Sequence, residues 1–353
     1  MSVSIIYAPS VKVQVQIALD NCLKIIIPSL YGFMILSDLA VRTNIYKIIG
    51  KPFFIFAKLF NIPKEYVSIF IIAHLGGYPV GIKLICDLLD KKAIGKKLAE
   101  RLSLYCVASG PAFIVGTVSG VLYANPKVAL LLFLSVSLAN FLIAIITGLF
   151  SDRSDSSYDM SIKDISSKIV NRDYKVANSV NETARTQAGV ACETARTQAG
   201  VACIYTAVDS VAKVMLKICS MILMCAVVIG LIKTFCDNAF LNSVIDVTNI
   251  VFVKDGDYNI LPIIAALLSF GGLCVALQIF SIAFGKINIW KFLYFRVIAA
   301  LFSYIICKLL YPLLVSTVPT STMHFTHEQS ILPSLILIIM SFMIISKSSF
   351  AKK

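Results

Sequence analysis

An all-α polytopic membrane protein is the fold class that this sequence predicts, on three observations. Hydrophobic residues fill 58% of the 353 positions and charged residues only 14%, for a mean hydropathy of +0.86. A soluble chain carries about a quarter charged residues. About seven or eight apolar segments run along the chain, several of them near the ~20 residues that a helical span needs. Glycine and proline interrupt two of the strongest segments, at 76–81 and 269–272, which predicts discontinuous or re-entrant helices in two related halves.

Taken in order, residues 1–20 are short and mixed and do not read as a cleavable signal peptide. Residues 22–41 are the first strong apolar run, with Pro28 near its start and Arg42 at its end. Residues 44–64 set Lys47, Lys51, Lys58 and Lys64 among aromatics, the pattern of an interfacial helix. The run 66–89 reads as a membrane helix until it meets Gly76, Gly77, Pro79 and Gly81. Pro79 lacks an N–H and pushes Tyr78 out of the α region. A backbone break in lipid leaves polar groups unsatisfied, so it survives only in protein or along a polar cavity. Pro79 suits the start of a new half-helix. The N–H groups of Val80, Gly81 and Ile82, with Lys83 one turn on, would then offer a positive end to an anion.

Residues 90–101 are basic and read as cytoplasmic. Ser109, Gly110 and Pro111 open a second short apolar run to Tyr123. About twelve helical residues rise only ~18 Å, which predicts a re-entrant half-helix rather than a crossing. Residues 127–150 are long enough to span, with Asn140 as the strongly polar interior residue.

Residues 151–205 are polar and contain a tandem repeat, ETARTQAGVAC at 182–192 and again at 193–203. Eleven residues is a helical period, but a perfect duplication is expected of a tolerant loop, and that is the reading taken here. It separates a first gate-like membrane half, 1–150, from a second, 206–353. In the second half, 212–235 and 292–314 read as spans, and 236–257 as a mildly acidic loop. The segment 261–284 is broken at Ser269, Gly271 and Gly272, with Gln278 beyond. Lys286, Lys291 and Arg296 mark an inside boundary, 316–329 an outside loop, and 331–345 a last short span before a basic tail.

Two stretches look alike, ALDNCLK at 18–24 and AVDSVAK at 207–213. Each opens a long apolar run, followed by a Gly-interrupted segment and then a span. Interrupted segments at matching positions of two halves point to a transporter's substrate site. Gly76, Gly77, Tyr78, Pro79 and Gly81 would shape the opening, Lys83, Ser109 and the half-helix N–H groups would hold carboxylates, and Gly110 and Pro111 would lie in the same site. Ser269, Gly271, Gly272 and Gln278 would complete the site from the second half.

The stretches GGYPVGIK at 76–83, AERL at 99–102, SGPAFIVGTV at 109–118 with Asn125-Pro126, and SFGGLCVALQI at 269–279 resemble the YlbJ (SpoVV) family of sporulation integral membrane proteins. That family belongs to the Gate, or nucleoside-recognition, domain proteins. The resemblance covers residues 18–150 and 207–315. It departs at Gly76, where the family often has Ser, in the short N terminus, and in the repeat-bearing linker. It implies a role in endospore formation, carrying dipicolinic acid across the outer forespore membrane of a bacterium.

Other function classes are weaker. The net charge of +13 follows the positive-inside pattern and does not require nucleic acid. Ten cysteines are scattered without a zinc spacing, and His324, His327 and Glu328 lie in an outside loop without the HExxH order, so no metal or cofactor is expected. No phosphate-binding loop or nucleophile–base set appears, which argues against an enzyme. His74, beside the first break, reads as a satisfied core histidine before a proton carrier. The leading expectation is a carrier of a small organic anion. The alternatives are a nucleoside transporter and a non-transporting structural or assembly protein of the spore envelope, where the glycines only pack helices. Lys83→Ala separates carrier from scaffold, because only the carrier should lose its function with protein levels intact. The bilayer is the expected partner, and homo-oligomerisation is left open.

Overall fold

Glycine breaks divide two of the apolar segments into paired shorter helices. The computed structural model describes residues 8–151, 185–236, 238–253 and 257–315, with the backbone alone over 185–203. All regular structure among these residues is helical. Helix α1 (Ala8–Asn21) passes through a π-type turn at Cys22–Ile26 into α2 (Ile27–Arg42), bent by 48°. Pro28 stands in the first turn of α2, where its missing N–H breaks no ladder bond.

The predicted interfacial helix at 44–64 is instead three short turns, Tyr46–Ile49, Lys51–Phe53 and Phe54–Leu59. Left-handed Asn44 and Asn61 bracket them and Pro52 interrupts. Phe54 and Ile55 nevertheless project outward among the lysines, 60% and 66% exposed, as an interfacial segment requires.

The run at 66–89 becomes α3 (Val67–Gly76) and α4 (Tyr78–Asp90). At about 15 and 20 Å, neither spans ~30 Å of hydrocarbon alone. Helix α5 (Lys96–Tyr105) leads to the short Pro111–Tyr123 helix, widened to π geometry from Ile114. Helix α6 (Pro126–Leu149) is capped by Asn125, whose side chain accepts from the Lys127 N–H at 3.0 Å.

Helix α7 (Arg185–Lys233) runs 49 residues. Its backbone passes through the tandem repeat, so the expected loop is helical there, in keeping with an eleven-residue period. Helix α8 (Ala239–Ile245) and a tight turn at Val247–Phe252 precede α9 (Leu261–Phe270), α10 (Gly272–Ile282) and α11 (Ile289–Leu314).

Four helical stretches among the described residues are long and apolar enough to cross a membrane: Pro126–Leu149, Ile204–Lys233, Tyr258–Ile282 and Ile289–Leu314. The bent pair α1–α2 makes five if it counts as one span. The sequence has seven or eight apolar segments; among the described residues α3–α4 and Pro111–Tyr123 are cut short by their breaks. The predicted last span at 331–345, the 316–329 loop with His324, His327 and Glu328, and linker residues 152–184 lie outside the described residues.

Helices α1 and α2 pack on α7, α6 and α9 pack on α11, and α4 packs on α10. The look-alike stretches at 18–24 and 207–213 share one buried cluster, through Ala18 and Cys22 with Val211. Gly230 brings α7 so near α1 that an added Cβ would lie 2.8 Å from Val11 Cα, the close approach that small residues permit. Asp90, ending α4, pairs with Lys286 at 2.5 Å. The loops after α4 and after α10 therefore share one side of the molecule.

Candidate functional site

Both breaks use glycine because no other residue fits. Gly77 ends α3 and begins α4 at φ +90°, and Gly271 and Gly272 stand at φ +86° and +83°, a region that Cβ-bearing residues rarely adopt. A Cβ on Gly76 would lie 2.7 Å from Val80. Pro79 sits in the first turn of α4, as predicted. The Val80 N–H is not free for a ligand, since it donates to the Gly77 carbonyl at 3.2 Å.

Tertiary packing joins the breaks. Gly110 packs backbone against backbone on Gly77, and the Tyr78 ring lies against Gly271. The Ser109 hydroxyl donates to the Leu268 carbonyl at 2.8 Å, and the Tyr78 hydroxyl bonds within this knot to Ser109 and Leu268. All three residues are buried. The knot ties α4, the Ser109–Pro111 loop and α9 at one point. Tyr78→Phe is expected to cost about 1 kcal/mol of stability, because Ser109 can still satisfy the Leu268 carbonyl. Thermal unfolding in detergent checks this, and a loss of several kcal/mol would give the hydroxyl a larger role.

Beside the knot lies a narrow cavity of about 90 Å³ that opens outward, smaller than the usual small-molecule site. Gly76, Gly77, Tyr78, Pro79, Gly110 and Gln278 line it. Its other polar side chains are Ser29, Asp246 and Thr248, and Phe33 and Phe113 supply apolar faces. Asp246 is 5% exposed, and its carboxylate caps the following turn by accepting from the Thr248 N–H at 3.1 Å. In the sequence Asp246 belongs to a mildly acidic loop, and nothing distinguishes Ser29 or Thr248. Nothing local marks them, because the chain folds them in from distant segments.

The remaining predicted site residues stand apart from the cavity lining. Gly81 is a packing glycine: a Cβ there would sit 2.0 Å from the Cys106 carbonyl oxygen. Pro111 starts its short helix, and Gly271 and Gly272 form the second break. The Ser269 hydroxyl is buried without a hydrogen-bond partner among the described residues.

Lys83 requires a correction. It is 2% exposed and pairs with Asp38 and Asp87, each at 2.6 Å, while Arg42 also binds Asp38. Two cations thus balance two carboxylates in a buried cluster. The positive charge expected for an anion is already neutralised, and the side chain is absent from the cavity wall.

Arg296 also departs from expectation. Instead of marking a membrane boundary it is 1% exposed inside α11. It donates to the Val107 carbonyl at 2.5 Å, to the Leu104 carbonyl, and to Asn140 Oδ1 at 2.9 Å. These partners hold the end of α5 just before Ser109, so Arg296 positions the loop that meets the first break. His74 donates to or accepts at the Phe70 carbonyl through Nδ1 at 2.8 Å, and its buried Nε2 has no partner among the described residues. It does not line the cavity.

The chain is similar to a sporulation membrane protein. It is 30% identical over 112 residues to the sporulation integral membrane protein YlbJ of Bacillus subtilis (strain 168). The match covers 31% of this chain and 27% of YlbJ, so this chain aligns with little more than a quarter of that relative's length. No protein-family model matches, and no solved structure matches. The apolar spans and this likeness agree on an integral membrane protein.

Proposed function

We propose that the chain is a membrane carrier of a small organic acid, dipicolinate, acting across the outer forespore membrane during sporulation. The observation that carries this reading is the meeting of two glycine breaks, through Tyr78 on Gly271, beside one partly polar cavity, the arrangement of carriers built from repeated halves. The similarity to a sporulation integral membrane protein supports the setting, and the gate-like motifs support the substrate. In this reading α3–α4 and Pro111–Tyr123 belong to one half, and α9–α10 to the other. Phe33 and Phe113 would sandwich a flat ring, while Ser29, Thr248 and Gln278 would bond its carboxyl oxygens.

A nucleoside is the second reading. One observation favours it: the cavity lining has hydrogen-bonding side chains but no lysine or arginine, which suits a neutral ring. The test is the dipicolinate content of spores and mother cells of a strain lacking this protein. The expected result is depleted spores with dipicolinate retained in the mother cell. Normal spore dipicolinate would move the reading to nucleosides, checked by uptake of labelled nucleoside into liposomes holding the protein.

A further inference from the structure

The cavity that would take an organic acid has a carboxyl group in its wall and no basic side chain. Asp246 is buried there, and it forms no ion pair with a described residue. Among the described residues its charge is felt by Tyr78 from α4, Cys22 from the turn before α2, Cys225 from α7 and Cys274 from α10, none of them a cation. Arg296 of α11 acts on Tyr78. On the segment of Asp246 itself, Thr248 donates to its carboxylate and Asn249 Nδ2 donates to its backbone carbonyl at 3.3 Å. Asn249 is held in turn by Gln14 of α1 at 3.3 Å.

An ionised Asp246 and a bound carboxylate would repel across a cavity with mostly apolar walls. At about 5 Å and a protein-like dielectric, that repulsion weakens binding by roughly two orders of magnitude. A protonated Asp246 removes it and adds an O–H donor that a substrate carboxylate can accept. We propose that Asp246 is the proton-coupling group of this cavity, so that an organic anion occupies the site together with one proton. The proposal rests on the organic-acid reading above. Asp246 takes a proton from water at the open mouth, the anion then enters beside the neutral carboxyl, and both leave when the site faces the other side. One O–H bond forms on Asp246 at loading and breaks at release, with no net change in the protein.

The cap offers a clean probe. Asn caps a turn as well as Asp does, so Asp246→Asn keeps the acceptor for the Thr248 N–H and removes the titration. The experiment measures labelled dipicolinate binding and uptake with purified protein in liposomes, between about pH 6 and pH 8, where the substrate's own carboxyls stay ionised. Wild type is expected to lose about tenfold or more in affinity over that range, and to accumulate substrate when an inward proton gradient is imposed. Asp246→Asn is expected to bind with no pH dependence and to show no gradient-driven accumulation. Wild-type binding that is flat with pH, or accumulation driven by sodium rather than protons, overturns the proton role and leaves the carrier standing. So does an Asn variant that keeps the wild-type pH profile. Absence of any dipicolinate binding at any of these pH values overturns the carrier reading itself, and the proton role with it. The wild-type profile decides the matter even if the variant does not fold.

Discussion

Arg296→Met is expected to destabilise the protein by about 3 kcal/mol, more than any single substitution in the cavity wall. The guanidinium makes buried charge-assisted bonds to two carbonyls and to Asn140, each worth about 1.5–3 kcal/mol. Removing it strands the Val107 and Leu104 carbonyls at the end of α5 without donors. Recovery of the arginine's own desolvation cost offsets part of the loss. Lysine should not restore it, since a single ammonium cannot reproduce the planar fork that reaches separate acceptors. The measurement is thermal unfolding of purified protein in detergent for wild type, Arg296→Met and Arg296→Lys. Because Arg296 grips the chain just before Ser109, the variants should also lose substrate binding at temperatures where they remain folded. Wild-type melting and binding in Arg296→Met would show that the loop is held by packing alone.

Lys83→Met is expected to lower stability by about 3–5 kcal/mol, the usual result of stripping one partner from a buried ionic cluster. It leaves Asp38 paired with Arg42 and strips Asp87 of its Lys83 partner. The expectation from sequence was the reverse, lost transport with protein levels intact. The double variant Lys83→Met with Asp87→Asn leaves the Arg42–Asp38 pair intact and no unpaired carboxylate, and should regain most of the lost stability. The non-additivity of that cycle measures the pairing directly. If the double variant is no more stable than Lys83→Met, the charge-balance account fails. The single variant, whose protein level should fall, is therefore a poor test of anion binding. Asp246→Asn is the better one, because its cap survives the change.

The membrane character of this chain was legible in its composition, since 14% charge cannot clothe a soluble surface of this size. The breaks were legible too. Gly76, Gly77, Pro79, Gly271 and Gly272 announce them through backbone chemistry that acts within a few residues, and the observed φ values follow from it. The sequence period of the tandem repeat was visible, but its helical state was read wrongly, because a duplication says nothing of how its backbone bonds are satisfied.

What tertiary structure alone decided was the charge. Lys83 looked like a ligand-binding cation because it follows a half-helix start. Only packing revealed Asp38, 45 positions earlier, at 2.6 Å from its ammonium. Arg296 looked like a boundary marker until Val107, 189 positions away, was found to bind it. Asp246 is one acid of a mildly acidic loop in the sequence, and α2, α4 and α10 close around it in the fold. Local backbone geometry is written in neighbouring residues, so sequence by itself determined the two glycine breaks. Electrostatic partnership falls off with distance through space rather than along the chain, so the charges could be assigned only once the fold had brought their partners together.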